Sequence, residues 1–82
     1  MRYTPKEVAA LLAPAFAGDI TDCEIAEGID GWAVRVTVQP TNKRRRSFRV
    51  NEYGDTREAT IAEAIRRAPI AAEVNGCVAI NA

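Results

Sequence analysis

The chain has 82 residues, zero net charge and a hydrophobic fraction of 48%, which suits one small domain over residues 1–82. It contains no histidine, the commonest general base and zinc ligand, and its two cysteines, Cys23 and Cys77, are too few for a disulfide framework. Without histidine, we expect a protein that is not an enzyme, with no cofactor, metal or small-molecule substrate. Since no stretch approaches the roughly 20 apolar residues that cross a membrane, we expect it to be cytoplasmic, with no membrane partner.

The N-terminal segment predicts an amphipathic helix rather than a signal peptide. Thr4 can act as the N-cap, Pro5 fits the first helical position, and Glu7 completes a capping box. Pro14 lies late in the segment and should kink or shorten the last turn. Apolar residues recur at helical spacing, and we expect them to face the core: Val8, Leu11, Leu12, Ala15 and Phe16.

Three segments have the pattern of β-strands. Residues 20–27 predict the first strand, and the Gly-containing stretch 28–31 predicts a tight turn. Residues 32–39 alternate apolar and polar side chains, which indicates a half-buried strand. After a break at Pro40, residues 45–51 predict a third strand with Phe48 and Val50 on its inward face. The large core anchors should be Phe16, Trp32, Phe48 and Tyr53.

The parity of these side chains supports an antiparallel meander. A turn at 28–31 predicts two pairs in the first hairpin: Ile25–Val34 and Glu24–Arg35. A loop at 40–44 predicts two pairs in the second hairpin: Val36–Phe48 and Arg35–Arg49. Both hairpins keep apolar residues opposite apolar residues, whereas a slip of one residue would expose the apolar set.

A second helix should follow residues 53–54, where Gly54 is free to take a positive φ. Asp55 or Thr56 can cap it, and Glu58 would complete a capping box with Asp55. Its apolar face contains five residues, of which three are small enough to let the helix lie close to a sheet: Ile61, Ala62, Ile65, Ala68 and Ala72.

The end of this helix carries two breaking signals. Pro69 should kink or split the helix, and Asn75-Gly76 predicts its C-cap. Residues 77–80 then predict a short edge strand or an extended tail. The expected fold class is α+β: a three-stranded antiparallel β-meander packed against a C-terminal helix, with an additional N-terminal helix.

Charge is unevenly distributed along the chain. Residues 19–30 are acidic with no base, and residues 33–57 are predominantly basic. Arginine and glutamine on a sheet face can contact the edges of nucleobases in a duplex groove, and basic side chains on a loop can bind phosphates. The predicted DNA-binding set lies on the outward face of strands two and three and on the loop between them: Arg35, Thr37, Gln39, Lys43, Arg44, Arg45, Arg46, Ser47 and Arg49.

Three features oppose this interpretation. A polar outer sheet face and a basic loop are also what any solvated surface presents. Strand one should place Asp22 and Glu24 on the same outer face, with Glu24 beside Arg35 as a cross-strand pair. The isoelectric point of about 6.2 is also below the values typical of DNA-binding domains.

The middle of the chain resembles a known family. The resemblance is carried by Trp32-x-Val34-x-Val36, the basic turn, Ser47-Phe48-x-Val50-x-x-Tyr53-Gly54, and Glu58-Ala59 at the start of an Ala-rich helix. This pattern resembles the AP2-like domains of bacterial and phage proteins of the integrase and homing-endonuclease type. The likeness covers about residues 31–76 and would put an AP2-like core at about 20–76.

That resemblance implies a three-stranded sheet that binds double-stranded DNA in the major groove. Carried over by position, the groove-facing residues would be Arg35, Thr37, Arg45, Ser47 and Arg49. Trp32, Phe48 and Tyr53 would be structural. The chain departs from the family pattern in its N-terminal helix, its acidic first strand and its zero net charge.

Two other functions remain open from the sequence. A small phage-type inhibitor, anti-defence or anti-CRISPR-like, could bind a protein partner through Asp22, Glu24 and Glu27, steered by charge. A structural module could form a homo-oligomer if Val78-Ala79-Ile80 added a strand to the sheet edge of another copy.

Overall fold

The computed structural model describes residues 3–79. Its elements are α1 (Pro5–Leu12), a 3₁₀ turn (Ala13–Ala15), β1 (Gly18–Gly28), β2 (Gly31–Pro40), β3 (Phe48–Gly54) and α2 (Arg57–Val74). The strands form an open antiparallel sheet in the order β1-β2-β3, so the predicted α+β meander with two helices is confirmed. None of the helices in this part of the chain is long and apolar enough to cross a membrane.

The predicted capping box begins α1. The Glu7 amide donates to Thr4 Oγ1 at 3.2 Å, and the Thr4 amide donates to Glu7 Oε1 at 3.1 Å. These two bonds satisfy amides that have no partner inside the helix. The α-helix ends at Leu12, and Pro14 lies in the 3₁₀ turn that follows, in agreement with the predicted shortening.

The first hairpin has the predicted register. Gly28 pairs with Gly31 around a two-residue turn, and the pairs Ile25–Val34 and Glu24–Arg35 are both present. Gly31 has a φ of 143°, and a Cβ there would lie 2.4 Å from the carbonyl oxygen of Gly54. Glycine is therefore required where β2 begins, between the turn and β3.

The second hairpin was predicted in the wrong register. β3 begins at Phe48 rather than at residue 45, and the observed pairs are Val38–Phe48, Val36–Val50 and Arg35–Asn51. A shift of two residues preserves parity, so Phe48 and Val50 still face inward and Arg49 outward. Residues 41–47 form a loop, and the predicted strand positions of Arg45 and Ser47 were wrong.

Local hydrogen bonds explain the longer loop. The Arg44 amide donates to the Asn42 side chain at 3.1 Å, and the Arg45 amide donates to the Asn42 carbonyl at 3.0 Å. Gln39 Nε2 donates to the Arg45 carbonyl at 3.3 Å. Bonds between short polar side chains and the neighbouring backbone compete with ladder pairing, and here they close a turn before β3 starts.

The core lies between the inner face of the sheet and the two helices. Val34, Val36 and Val38 of β2 are almost fully buried, and Phe16 packs against Phe48 with ring centroids 6.0 Å apart. The helices add six further core residues: Val8, Leu12, Ile61, Ala64, Ala68 and Ala72. The small alanines let α2 approach the sheet closely. The helix continues through Pro69 without splitting.

Several predicted core positions are exposed instead. Tyr53 is 66% exposed because it pairs with Ala33 on the outer face, and Leu11 is 45% exposed. Trp32 is half-buried and lies outside the core, opposite Glu27 and Gly54 at the end of the sheet. The prediction that Trp32, Tyr53 and Leu11 fill the core was therefore wrong. Ala62, predicted for the buried face of α2, is exposed.

Both ends of α2 are capped. Thr56 is the N-cap, and its hydroxyl accepts from the Ala59 amide at 3.1 Å, so the alternative capping by Asp55 with Glu58 is wrong. The prediction that Gly54 takes a positive φ was wrong. Glycine fits at this position because a Cβ would lie 2.5 Å from Thr60 Oγ1. At the other end, Gly76 has a φ of 62°, which confirms the predicted C-cap signal.

The chain then returns towards the start of the sheet. Val78 forms an isolated antiparallel bridge with Phe16, and the Ala17 amide donates to the Cys77 carbonyl at 2.8 Å. The segment is thus extended and pairs within its own chain. Ile80, the last residue of the predicted tail strand, lies outside the described residues.

Candidate nucleic-acid interface

The outer face of the sheet carries acidic and basic residues in neighbouring rows. Arg35 at the centre of β2 lies between Glu24 of β1 and Asn51 of β3. In the next row, Thr37 lies between Asp22 and Arg49. The predicted presence of acidic side chains on the same face as the DNA-binding candidates is confirmed.

Arg35 is engaged in an ion pair. Its Nη1 donates to Glu24 Oε1 at 2.7 Å across the first hairpin. Both side chains are partly exposed, so the pair stabilises the fold only modestly. Its main consequence is that Nη1 of Arg35 is already engaged and that Glu24 offsets the charge that Arg35 could present to a ligand.

Gln39 supports the loop rather than facing outward as an unbound amide. Its Nε2 donates to the Pro40 carbonyl at 3.2 Å and to the Arg45 carbonyl at 3.3 Å. These bonds tie the end of β2 to the middle of the loop 41–47. Gln39 therefore positions the loop, and its amide nitrogen is not directed at the open surface.

Arg45 contacts the C-terminal end of α2. Its guanidinium donates to the carbonyl oxygen of Asn75 at 3.0 Å and also to that of Gly76, at the C-terminal end of α2. A cation at this position satisfies helix carbonyls and interacts favourably with the helix dipole. The expectation that Arg45 belongs to the groove-facing set is replaced by a structural role, which the sequence spacing did not indicate.

The remaining candidates cluster at one end of the sheet, and four of them are cationic. Among residues 3–79 these four form no ion pair, and each is exposed: Lys43, Arg44, Arg46 and Arg49. We call these four residues the basic end. Ser47 is exposed in the same loop. The turn at Asn42 and the bonds of Gln39 fix the loop from which Lys43, Arg44 and Arg46 project, and Arg49 projects from β3.

The other end of the sheet is acidic, a feature that the search for basic residues missed. An open groove of about 570 Å³ lies there, next to the β1–β2 turn and the start of α2. Its lining includes three carboxylates and two aromatic rings: Glu27, Asp30, Asp55, Trp32 and Tyr53. The charges of the molecule are thus separated along the strand direction, with the basic end opposite this groove.

The thiols and carboxylates offer little further chemistry. Within residues 3–79 no three histidine, cysteine or acidic residues are grouped so that they could hold a metal ion. Burial, with a smaller contribution from Asp22, raises the pKa of the Cys23 thiol, which favours the protonated and unreactive form. Cys77 is buried, and its Sγ lies 3.3 Å from the Ala17 carbonyl oxygen.

Comparison with known proteins identifies no relative. No protein-family model, curated protein or solved structure matches this chain. The function must therefore be inferred from the charges and contacts of the molecule's own surface.

Proposed function

We propose that this protein binds double-stranded DNA through its basic end. The observation that carries the proposal is the convergence of Lys43, Arg44, Arg46 and Arg49 at one end of the sheet, with no ion pair among the described residues. Cations without a protein partner lose no salt bridge when they contact a phosphate. Each phosphate contact also releases condensed counterions, which is the main source of sequence-independent affinity.

The positions of the four cations divide their roles. Three of the cations lie on the loop 41–47, where their exposed side chains can contact phosphates along the duplex backbone: Lys43, Arg44 and Arg46. Arg49 lies on the outer face of β3 in the same row as Thr37, where both side chains can reach base edges. Arg35 contributes less, because its guanidinium is held by Glu24 at 2.7 Å.

The acidic residues would orient the duplex. Asp22 and Glu24 lie on β1, on the same outer face as Arg49, and would repel a phosphate backbone laid across the whole sheet. Like-charge juxtaposition disfavours that arrangement. DNA would therefore lie over the part of the outer face formed by β3 and the loop, away from β1.

Two double variants with equal charge changes test this proposal. R44A/R46A removes two cations from the basic end, and K6A/R66A removes two exposed cations from α1 and α2. Binding to a labelled random duplex is measured at low salt, where the wild type should bind more tightly than the roughly 10⁻⁴–10⁻⁶ M typical of non-specific binding at physiological salt. R44A/R46A should weaken binding by about tenfold or more, and K6A/R66A by much less.

Two results would count against the proposal. Absence of wild-type binding at low salt would contradict it directly. Equal losses in the two double variants would indicate that net charge, and not the basic end, determines affinity.

A second candidate function is protein binding through β1. Asp22, Glu24 and Glu27 are exposed along this edge strand. Alternate residues of a strand stand about 6.8 Å apart. Asp22 and Glu24 have this spacing on the outer face, whereas Glu27 pairs with Trp32 and lies on the other face of the strand. The two outer carboxylates fit the cationic nucleic-acid-binding surface of another protein, as an inhibitor would. Under this alternative, the wild type does not bind duplex, and capture of a basic protein is lost in D22N/E24Q.

A further inference from the structure

The two edges of the sheet differ in how they are protected. The ladder between β1 and β2 has an irregularity between Ile20 and Asp22, which leaves Thr21 as a bulge, and the strand carries several exposed carboxylates. Bulges and charges are the usual protection of an edge strand against pairing with another chain. β3 has an unbroken register over Phe48–Gly54 and only one outward charge, Arg49.

Exposed apolar side chains of α2 lie next to this unprotected edge. Ile70 is 49% exposed and Val74 is 79% exposed, and both line a groove of about 220 Å³ together with Val50 of β3. Three charged residues also line this groove: Arg49, Glu52 and Arg67. Exposed apolar residues that are scattered singly need no explanation, but a pair beside an open strand edge forms a continuous surface.

The helix and strand run in opposite directions along this groove. Glu52, near the end of β3, pairs with Arg67, while the loop before β3 is bound to Asn75 through Arg45. Ile70 therefore lies level with the middle of β3, where it lines the groove with Val50. The apolar surface and the centre of the open edge thus coincide.

We propose that this edge is the interface of a homodimer, in which two copies of β3 pair antiparallel about a twofold axis at Asn51. The occupant is a second copy because the strand is complementary to itself. When all seven residues of β3 overlap, Arg49 lies opposite Tyr53 of the other copy, and Val50 lies opposite Glu52. This register places no like charges directly opposite each other, and antiparallel strands avoid such pairs.

Two other registers are less favourable. Sliding the strands until Arg49 faces its own counterpart, or until Glu52 faces its own, would place like charges opposite each other at the axis. In the full-overlap register, the ring of Tyr53 instead receives the Arg49 guanidinium, a cation–π contact. The two Ile70 side chains lie on either side of the axis and can cover each other. The product is a closed dimer with a continuous six-stranded sheet.

The dimer would also rearrange the surface charges. The acidic β1 strands become the outer edges of the six-stranded sheet, and both Arg49 side chains move to its centre. A basic loop 41–47 stands at each end of the central strand pair. A role of this charge arrangement in DNA binding rests on the proposed function, whereas the dimer itself does not.

Sedimentation equilibrium tests the dimer without DNA. The wild type should shift from 8.9 kDa towards twice that mass with a dissociation constant of roughly micromolar order, as expected for a small interface. I70E should weaken dimerisation by more than about tenfold, because a carboxylate would replace an apolar contact at the axis. I29E is the matched control, since Ile29 is fully exposed in the β1–β2 turn.

A wild type that stays at 8.9 kDa up to about 1 mM would overturn the proposal. Equal effects of I70E and I29E would overturn this interface. Neither result bears on whether the monomer binds duplex, so the failures of the two proposals can be told apart.

A cysteine cross-link locates the axis. Directly opposed residues of antiparallel strands have Cα atoms about 4.5–5.5 Å apart, within the range that a disulfide spans. In a Cys23→Ala background, N51C should therefore form an intermolecular disulfide rapidly on mild oxidation. T21C, on the protected edge, should form one slowly. Equal rates for the two variants would contradict pairing through β3.

Discussion

Arg45 donates a hydrogen bond to the carbonyl oxygen of Asn75 at 3.0 Å and thereby joins the loop before β3 to the C-terminal end of α2. The same guanidinium bonds to the carbonyl of Gly76, whose φ of 62° terminates the helix. A Cβ at Gly76 would lie 2.8 Å from Arg45 Nη2, so the glycine also makes room for this contact. The central arginine of the basic loop is thus a structural residue.

R45A should lower the free energy of unfolding by about 1–2 kcal/mol, because the last carbonyls of α2 lose a charged donor. Urea denaturation measures the change. R46A is the control, because Arg46 is exposed and forms no ion pair within residues 3–79, and its unfolding midpoint should stay near that of the wild type. An equal loss in both variants would show that the contact at the helix end adds no stability.

E24Q should increase affinity for duplex DNA severalfold at low salt. The substitution weakens the hold on Arg35, now 2.7 Å from the carboxylate, and removes a negative charge from the face that DNA approaches. E63Q makes the same charge change on α2, where Glu63 pairs with Arg66, and should leave affinity nearly unchanged. If E24Q binds no more tightly than the wild type, the outer face of the sheet does not contact DNA.

Stability should fall with acid partly through the capping box of α1. Hydrogen bonds from the Thr4 backbone and side chain lower the pKa of Glu7 below its usual 4.5. A lowered carboxyl pKa contributes stability that is present above 4.5 and is lost as the pH falls through the folded-state value. Thermal melts of E7Q should therefore show a shallower loss of stability below that pH. Identical acid profiles for E7Q and the wild type would contradict this.

G54A should destabilise the protein by about 1–3 kcal/mol through overpacking. An added Cβ would lie 2.5 Å from Oγ1 of Thr60, which is fully buried and donates to the Thr56 carbonyl at 2.6 Å. In urea denaturation, G54A/T60A should be more stable than the sum of the two single changes predicts, since the second removes the clash. G28A should be tolerated, because a Cβ there meets its nearest atom at 3.8 Å.

The fold could be predicted largely because local signals agreed with one another. The capping box at Thr4, the alternation along β2 and the turn at 28–31 each set a boundary that depends on neighbouring residues. The register of β3 was missed because the hydrogen bonds of Asn42 and Gln39 lengthen the loop, and a shift of two residues leaves the pattern of buried residues unchanged.

The candidate site was less predictable because its contacts are remote in sequence. The spacing of Arg45 could not reveal that its guanidinium reaches Asn75. The predicted burial of Trp32 was wrong because it lies at the end of the sheet, outside the core, and that of Tyr53 was wrong because it lies opposite Ala33 on the outer face. The pair between Glu24 and Arg35, by contrast, follows from hairpin register and was predicted.

The salt dependence of duplex binding tests the central claim most directly. If all four residues of the basic end contact phosphates, the logarithm of the association constant should fall with the logarithm of salt concentration with a slope of about −3.6. The slope should shrink to about −1.8 in R44A/R46A and stay near the wild-type value in K6A/R66A. A wild-type slope near zero, or an unchanged slope in R44A/R46A, would contradict DNA binding through the basic end.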